Sequence, residues 1–319
     1  MFPEFRQPTN RFWTHVIVIC ILIVAPFVPS FADDAPSCMF CRGAMQGQAV
    51  LNIAHAGASS LAPQNTLIAG RMALEAGADV WGVDVRRTQD GVLILMHDET
   101  LSRTTDVEEL FPSRSPWRVA DFSLDEIRTL DAGSWFVQED PFEQIAQGNV
   151  SPDVVASYIG KPVPTLREVL ELVAATDWLI DIEMKAPIEV EPVIVAAELE
   201  VLLRETETKN RALVSSFDFD ILREVRRLAP SIAIGALAIL PLLDTLDTLQ
   251  SLGADVYLPS AVAFTKALLG DLEEAGIHVI LWTYNTESQL EYAAGLPGVD
   301  GIYTDFPQRL AALMKESAP

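Results

Sequence analysis

The chain has 319 residues, half of them hydrophobic, and a formal net charge of −23 at pH 7. That length suffices for one large core or two small ones. The acidic balance, with no basic cluster to meet phosphates, excludes a nucleic-acid partner.

The first element is an export signal. Arg6 and Arg11 precede an apolar run over 16–28, broken by Pro26 and followed by Pro29 and Ser30-Phe31-Ala32. A basic start, a short apolar middle and small residues before the cut predict a secretory signal peptide over 1–32, cleaved after Ala32. An uncleaved anchor is the alternative. The mature protein is expected to be exported, periplasmic or extracellular, with a flexible arm over 33–48 and one barrel domain over 49–315. Cys38 and Cys41 are spaced for a local disulfide in an oxidising compartment. Zinc would need two further ligands.

Short apolar runs at 50–54, 80–85, 92–96, 178–183, 212–215, 232–235, 255–258, 278–282 and 301–304 predict nine strands. Helix signals lie between them. Thr165-Leu166-Arg167-Glu168 has the form of a capping box, and Thr286 with Gln289 repeats it. After Asp218, the residues Ile221, Leu222, Val225 and Leu228 share one helical stripe that Pro230 ends. No linker or repeat divides the region after Val50. This alternation predicts an α/β fold, a (β/α)8 TIM-type barrel, with a doubly wound open sheet as the alternative.

One connection departs from the pattern. Thr88-Gln89-Asp90-Gly91 is too short for a helix and forces a β-hairpin near the second strand. Centring the turn on Asp90-Gly91 makes paired residue numbers sum to 181, so that Asp84 faces His97 with Cβ atoms roughly 4.5–5.5 Å apart. Residues 104–164, with Pro112, Pro116, Pro141 and Pro152, read as an irregular insertion over the barrel mouth without a core of its own.

His55 and His97 each end a predicted strand, where barrel loops converge, and two histidines on one pocket suit general acid and base roles. His278 lies inside a strand, where a structural role is expected. Asp181, Glu183 and Lys185 alternate onto one strand face. Three ionisable groups inside an apolar barrel are costly unless paired or bound to an ion. Carboxylates from different strands suit a hard divalent cation, and Lys185 suits a phosphate oxygen. A solvated edge-strand salt bridge is the alternative.

Several of these residues fall in an ordered set of short motifs: His55-Ala56-Gly57, Pro63-Gln64-Asn65-Thr66, Val83-Asp84-Val85, His97-Asp98, Ile182-Glu183-Met184-Lys185, Trp282-Thr283-Tyr284-Asn285 and Thr304-Asp305-Phe306-Pro307. The set resembles the glycerophosphodiester phosphodiesterase family over 51–307. The resemblance implies a TIM-type barrel that hydrolyses glycerophosphodiesters, or lysophospholipid-like phosphodiesters, with a divalent cation, Ca²⁺ or Mg²⁺. It implies His55 and His97 as the acid–base pair, Asp84 and Glu183 as metal ligands, Lys185 as a phosphate contact and Trp282 as a wall for the glycerol carbons. A membrane surface would enter only through the substrate or an uncleaved signal. Three positions depart from the family: Ala56 replaces a phosphate-binding arginine, Gln64 a glutamate, and Gly82 a metal-binding glutamate. Fewer charged oxygens hold a hard cation less tightly, and no guanidinium grips the phosphate at position 56. Two readings follow. Either Asp181 supplies the missing carboxylate of an active site, or the chain is a degenerate member that binds without turnover.

Overall fold

The computed structural model describes residues 50–186 and 190–316. The expected signal, the arm and the Cys38–Cys41 pair lie outside the described residues.

All nine expected strands form: β1 Leu51–His55, β2 Val80–Arg87, β3 Leu93–Leu95, β4 Leu179–Met184, β5 Ala212–Ser216, β6 Ala233–Ala238, β7 Val256–Pro259, β8 His278–Leu281 and β9 Gly301–Thr304. Eight run parallel in the order β1-β9-β8-β7-β6-β5-β4-β2, and pairing of β1 with β2 closes the ring. The open-sheet alternative is thereby excluded. Side-chain alternation sorts the core into two layers. Leu51, Ile53, Val80, Leu213, Val256 and Ile280 fill the barrel. Trp81, Val83, Ile180, Ile182, Val214 and Ile234 pack outward with the helices.

The expected helix starts form as well. One start not among them opens the helix α1 (Leu67–Glu75), where Thr66 Oγ1 accepts from the Ala69 amide at 3.2 Å. Capping boxes of Thr165 with Glu168 and Thr286 with Gln289 open the helices Leu166–Ala174 and Glu287–Ala294. Asp218 caps Phe219–Leu228, whose Ile221, Leu222 and Val225 are buried.

The hairpin forms, but its register corrects the expectation. Val85 pairs with Leu95, Arg86 with Ile94 and Arg87 with Leu93, and the Met96 amide donates to the Asp84 carbonyl at 2.9 Å. Asp84 therefore lies opposite Met96, not His97. The cause is loop length. Thr88 donates its amide to the Val92 carbonyl at 2.9 Å, and its hydroxyl accepts from the Val92 amide at 2.9 Å, so the loop is Gln89-Asp90-Gly91. A three-residue loop with glycine at positive φ, here +87° at Gly91, shifts the ladder by one residue from a two-residue turn. His97 lies past β3 and comes to the barrel mouth by way of the loop.

The insertion also differs from expectation, because it buries apolar residues of its own. Val107, Val119, Phe122 and Ile127 pack on Ile94 and Met96, and Phe136 and Tyr158 pack with Ala69 of α1. Its short elements give too few turns for an apolar period to stand out. The segment flanks the mouth: Thr104 and Val163 border His97, and Arg118 and Asp121 line a cavity with Lys185.

Candidate active site

The key side chains gather at the carboxyl ends of the strands, the rim where barrel loops converge. His55 closes β1, and its Nδ1 lies 2.7 Å from Oδ1 of Asp305, just after β9. A carboxylate only accepts, so Nδ1 carries the proton and Nε2 is left for chemistry. Ser59 donates to the same Asp305 oxygen at 2.9 Å, and Asn285 Nδ2 donates to the other at 2.6 Å. Burial opposes a charge on His55. The Asp305 hydrogen bond and the charges of Asp305, Asp84 and Glu183 outweigh it, raising the pKa to about 9.

His97 is held by the same device. Its Nδ1 lies 2.7 Å from Asp98 Oδ1, and Arg103 Nε donates to Asp98 Oδ2 at 2.5 Å. The hydrogen bond from His97 outweighs burial and, with Arg103, keeps Asp98 below the usual carboxylate range. Arg86, two residues after Asp84 on β2, fixes the His97 carbonyl through Nε at 3.0 Å.

Asp84 and Glu183 are register partners on β2 and β4. Lys185 Nζ lies between them, 2.9 Å from Asp84 Oδ1 and 2.5 Å from Glu183 Oε1. Asn65 holds Asp84 twice, donating from Nδ2 to Oδ2 at 2.7 Å and accepting the Asp84 amide on Oδ1 at 3.1 Å. Burial works against the charge on Asp84, but Lys185, His97 and His55 outweigh it and hold the carboxyl well below its usual range. Burial and the Asp84 charge push Glu183 up, with Lys185 restraining the shift.

Asp181 has a different position from the one expected. It is fully buried, in register with Gly82 and one layer below the Asp84–Glu183 pair. Ser215 Oγ donates to its Oδ1 at 2.8 Å, and the Tyr303 hydroxyl donates to its Oδ2. Burial pushes its pKa up to about 7. Both Ser215 and Tyr303 line the cavity above, so they separate Asp181 from it. Gly82 makes this arrangement possible: a Cβ there would meet Tyr303 Cε1 at 2.5 Å. The tyrosine ring occupies the room that a side chain at position 82 would need. Alternation along β4 therefore gave the correct face for Asp181 and the wrong depth.

The cavity has a volume of about 350 Å³. His55, His97, Glu183 and Lys185 line one arc, and Phe217, Leu237, Ile239 and Trp282 line the other. Trp282 is fixed by its Nε1 donating to the Leu258 carbonyl at 2.7 Å, and Phe217 meets it edge-on at 5.8 Å between ring centroids. Ala56 is buried in the turn after β1, and Gln64 borders a small cleft shared with Asn65 and His97. His278 lies at the amino end of β8, with Nδ1 3.2 Å from Asp300 Oδ1.

Sequence reasoning gave no role to Asp305, Asn65, Asn285, Arg86 or Tyr303. The first three stand within the motifs already quoted, so their signal was available. For Tyr303 it lay only in the gap at Gly82.

The donor set can be tested against a divalent cation. Among the described residues, no group of three or more His, Cys, Asp or Glu side chains is arranged to hold a metal. Asp84 and Glu183 do share one cationic partner, the Lys185 ammonium. Two carboxylates with waters and substrate phosphate oxygens are a common way of holding Mg²⁺. The residues thus fit an ion completed by substrate, and they do not fit an all-protein cage.

The profile of the "Glycerophosphoryl diester phosphodiesterase family" matches residues 55–309. A glycerophosphodiester phosphodiesterase of Caldanaerobacter subterraneus subsp. tengcongensis is 33% identical over 266 residues, 83% of this chain and 98% of that protein. One of Bacillus altitudinis is 32% identical, over 82% of this chain and 97% of its own length. Among solved structures, an Oleispira antarctica phosphodiesterase in complex with the product sn-glycerol-3-phosphate superposes with a TM-score of 0.70 at 27% identity, covering 86% of this chain and 99% of its own.

Two outcomes follow from this geometry. In calorimetric titration of Mg²⁺ or Ca²⁺ into chelator-treated protein, Asp84→Asn should weaken binding at least tenfold, whereas Asp181→Asn should change it less than twofold while lowering the melting temperature. Loss of ion binding in Asp181→Asn would show that this carboxylate is a ligand after all. In the metal-free protein, the His55 ring followed by NMR should titrate near pH 9, against an ordinary 6.5, and Asp305→Asn should move the midpoint down because burial then dominates. The folded pKa is raised, so the His55–Asp305 pair contributes stability that is full below pH 6.5 and is lost as pH rises through about 9.

Proposed function

The chain belongs to the glycerophosphoryl diester phosphodiesterase family, whose activity is phosphoric diester hydrolysis, and from that premise we propose that it splits glycerophosphodiesters into an alcohol and glycerol phosphate by histidine acid–base catalysis. The observation that carries the reading is a pair of histidines on one cavity, each tethered at Nδ1 by its own carboxylate, with Lys185 on the same wall.

The steps use these groups in order. His97 Nε2 takes the proton of the substrate's 2-hydroxyl, whose oxygen attacks phosphorus and forms a five-membered cyclic phosphate. The bond from phosphorus to the alcohol breaks, and the leaving oxygen receives the proton held on His55 Nε2. Water then opens the ring with the roles reversed. His55 takes the water proton, and His97 returns its own to the 2-oxygen. Both histidines end as they began, and one water has been consumed.

Asp305 and Asp98 fix the tautomers and orient the rings. Lys185 meets the charge on the phosphate, and Trp282 supports the glycerol carbons. Members of the family generally depend on a divalent cation. In this chain Asp84 and Glu183 would hold it, and when bound it supplies Lewis-acid stabilisation of charge on the phosphate oxygens. The loss of a side chain at position 82 leaves a packed ring and a satisfied hydrogen-bond network, not a void, which supports an active site over a degenerate one.

Export belongs to the same proposal, supported by the basic start, apolar run and small residues over 1–32. Mass spectrometry of the exported protein should find Asp33 as its first residue. A membrane-bound form that keeps residues 1–32 would mean an anchored enzyme.

Hydrolysis is tested with glycerophosphocholine and Mg²⁺ or Ca²⁺, followed by phosphorus NMR. The expected products are choline and glycerol phosphate, with His55→Ala and His97→Ala each slower by about 10²–10⁴. A wild-type protein as slow as its variants would overturn the reading in favour of binding without turnover.

A further inference from the structure

Asp98 orients the His97 ring but does not place it. The two residues are neighbours in the chain, and Arg103, which grips both Asp98 oxygens, belongs to the same loop. The unit is rigid within itself, and its ties to the barrel are few. The last bond of the hairpin runs from the Met96 amide to the Asp84 carbonyl, one residue short of His97. From Glu99 onward the chain pairs with the insertion instead. The Val119 amide donates to the Glu99 carbonyl at 3.0 Å, and the Leu101 amide to the Trp117 carbonyl at 2.9 Å. Between these anchors, one hydrogen bond among the described residues joins His97 or Asp98 to a barrel strand. It is the 3.0 Å bond from Arg86 Nε to the His97 carbonyl.

Arg86 lies on β2 two residues after Asp84, so alternation puts both side chains on one face of the strand. Asp84, held by Asn65 and Lys185, marks the phosphate end of the site. Arg86 reaches from the same strand to the residue assigned to the 2-hydroxyl proton. A partly buried guanidinium is a costly way to bond one carbonyl. Burial lowers its pKa, and the charges of Glu99, Asp84, Asp98 and Glu183 oppose that shift. Balancing those four carboxylates is the alternative role, yet each already has another cation. Lys185 serves Asp84 and Glu183, Arg103 serves Asp98, and Arg118 lies 3.3 Å from Glu99.

We propose that Arg86 is a positioning residue for the reaction: by tying the His97 carbonyl to β2, it fixes the distance from His97 to the phosphate site at Lys185. The inference rests on the phosphodiesterase reading and adds to it a residue that acts through another. Proton transfer depends steeply on distance, whereas Lys185 and a cation grip the phosphodiester without His97. Loss of the tie therefore falls on kcat and spares KM.

The test compares Arg86→Met and Arg86→Gln with wild type, on glycerophosphocholine with Mg²⁺. Glutamine carries its amide nitrogen at the same distance along the stem as arginine Nε, without the charge, and methionine keeps the stem without a donor. Arg86→Met should lose about 10–100-fold in kcat with KM nearly unchanged. Arg86→Gln should stay within about threefold of wild type. Both should bind Mg²⁺ as wild type does, which shows that β2 and Asp84 are intact. Hydrogen exchange over 97–99 should quicken in Arg86→Met alone. Equal losses in the two variants would assign Arg86 to charge balance and overturn the proposal, as would a loss confined to KM or an Arg86→Met as fast as wild type. If wild type itself hydrolyses nothing, the phosphodiesterase reading falls and exchange decides the tie: quicker exchange in Arg86→Met alone supports it, and unchanged exchange overturns it.

Discussion

The mouth of this barrel depends on one ammonium group. Asp84 and Glu183 are register neighbours on adjacent strands, and two carboxylates brought so close in a low-dielectric interior repel strongly. Lys185 Nζ, within 3 Å of both, makes that arrangement tolerable. Removing one member of such a set leaves uncompensated buried charge, which costs more than the set as a whole contributes. The rest of the site is arranged around this triad. Asn65 holds Asp84 from behind, the field of the two carboxylates helps keep His55 protonated, and the shared cationic position is where a divalent ion and phosphate would be met.

The departure at Gly82 is local and compensated. A missing carboxylate would ordinarily leave a hole in the barrel floor or a stranded partner. Here Tyr303, on β9 two strands round the ring from β2, fills the space and gives its hydroxyl to Asp181, which Ser215 also satisfies. A buried carboxyl with two donors and a pKa near neutrality belongs to the structural layer beneath the chemistry. The floor and the mouth thus carry separate polar networks: one is closed on itself, and the other opens to the cavity.

Much of this was legible in the sequence, for physical reasons that differ between residues. Strands were found because a buried parallel sheet writes short apolar runs, and helix starts because caps are side chains with fixed offsets. The hairpin register failed by one residue because the hydroxyl of Thr88 joins the ladder, and composition does not reveal that. For Asp181, alternation encodes face but not depth along a barrel axis, and the register places it one layer below the Asp84–Glu183 pair. Tyr303 went unassigned because its partner Asp181 lies 122 residues away, a separation that no local pattern spans. The insertion hid its core by building it from pieces too short to show a period.

The pairing of His55 with Asp305 has a consequence in time. These residues sit at the ends of β1 and β9, the two strands that meet only where the ring joins its beginning to its end. Contacts of such sequence separation form late, after loop-closure entropy has been overcome. The His55–Asp305 pair is therefore assembled by the same event that completes the barrel. An incomplete chain can carry every residue of the charged triad and still lack this pair.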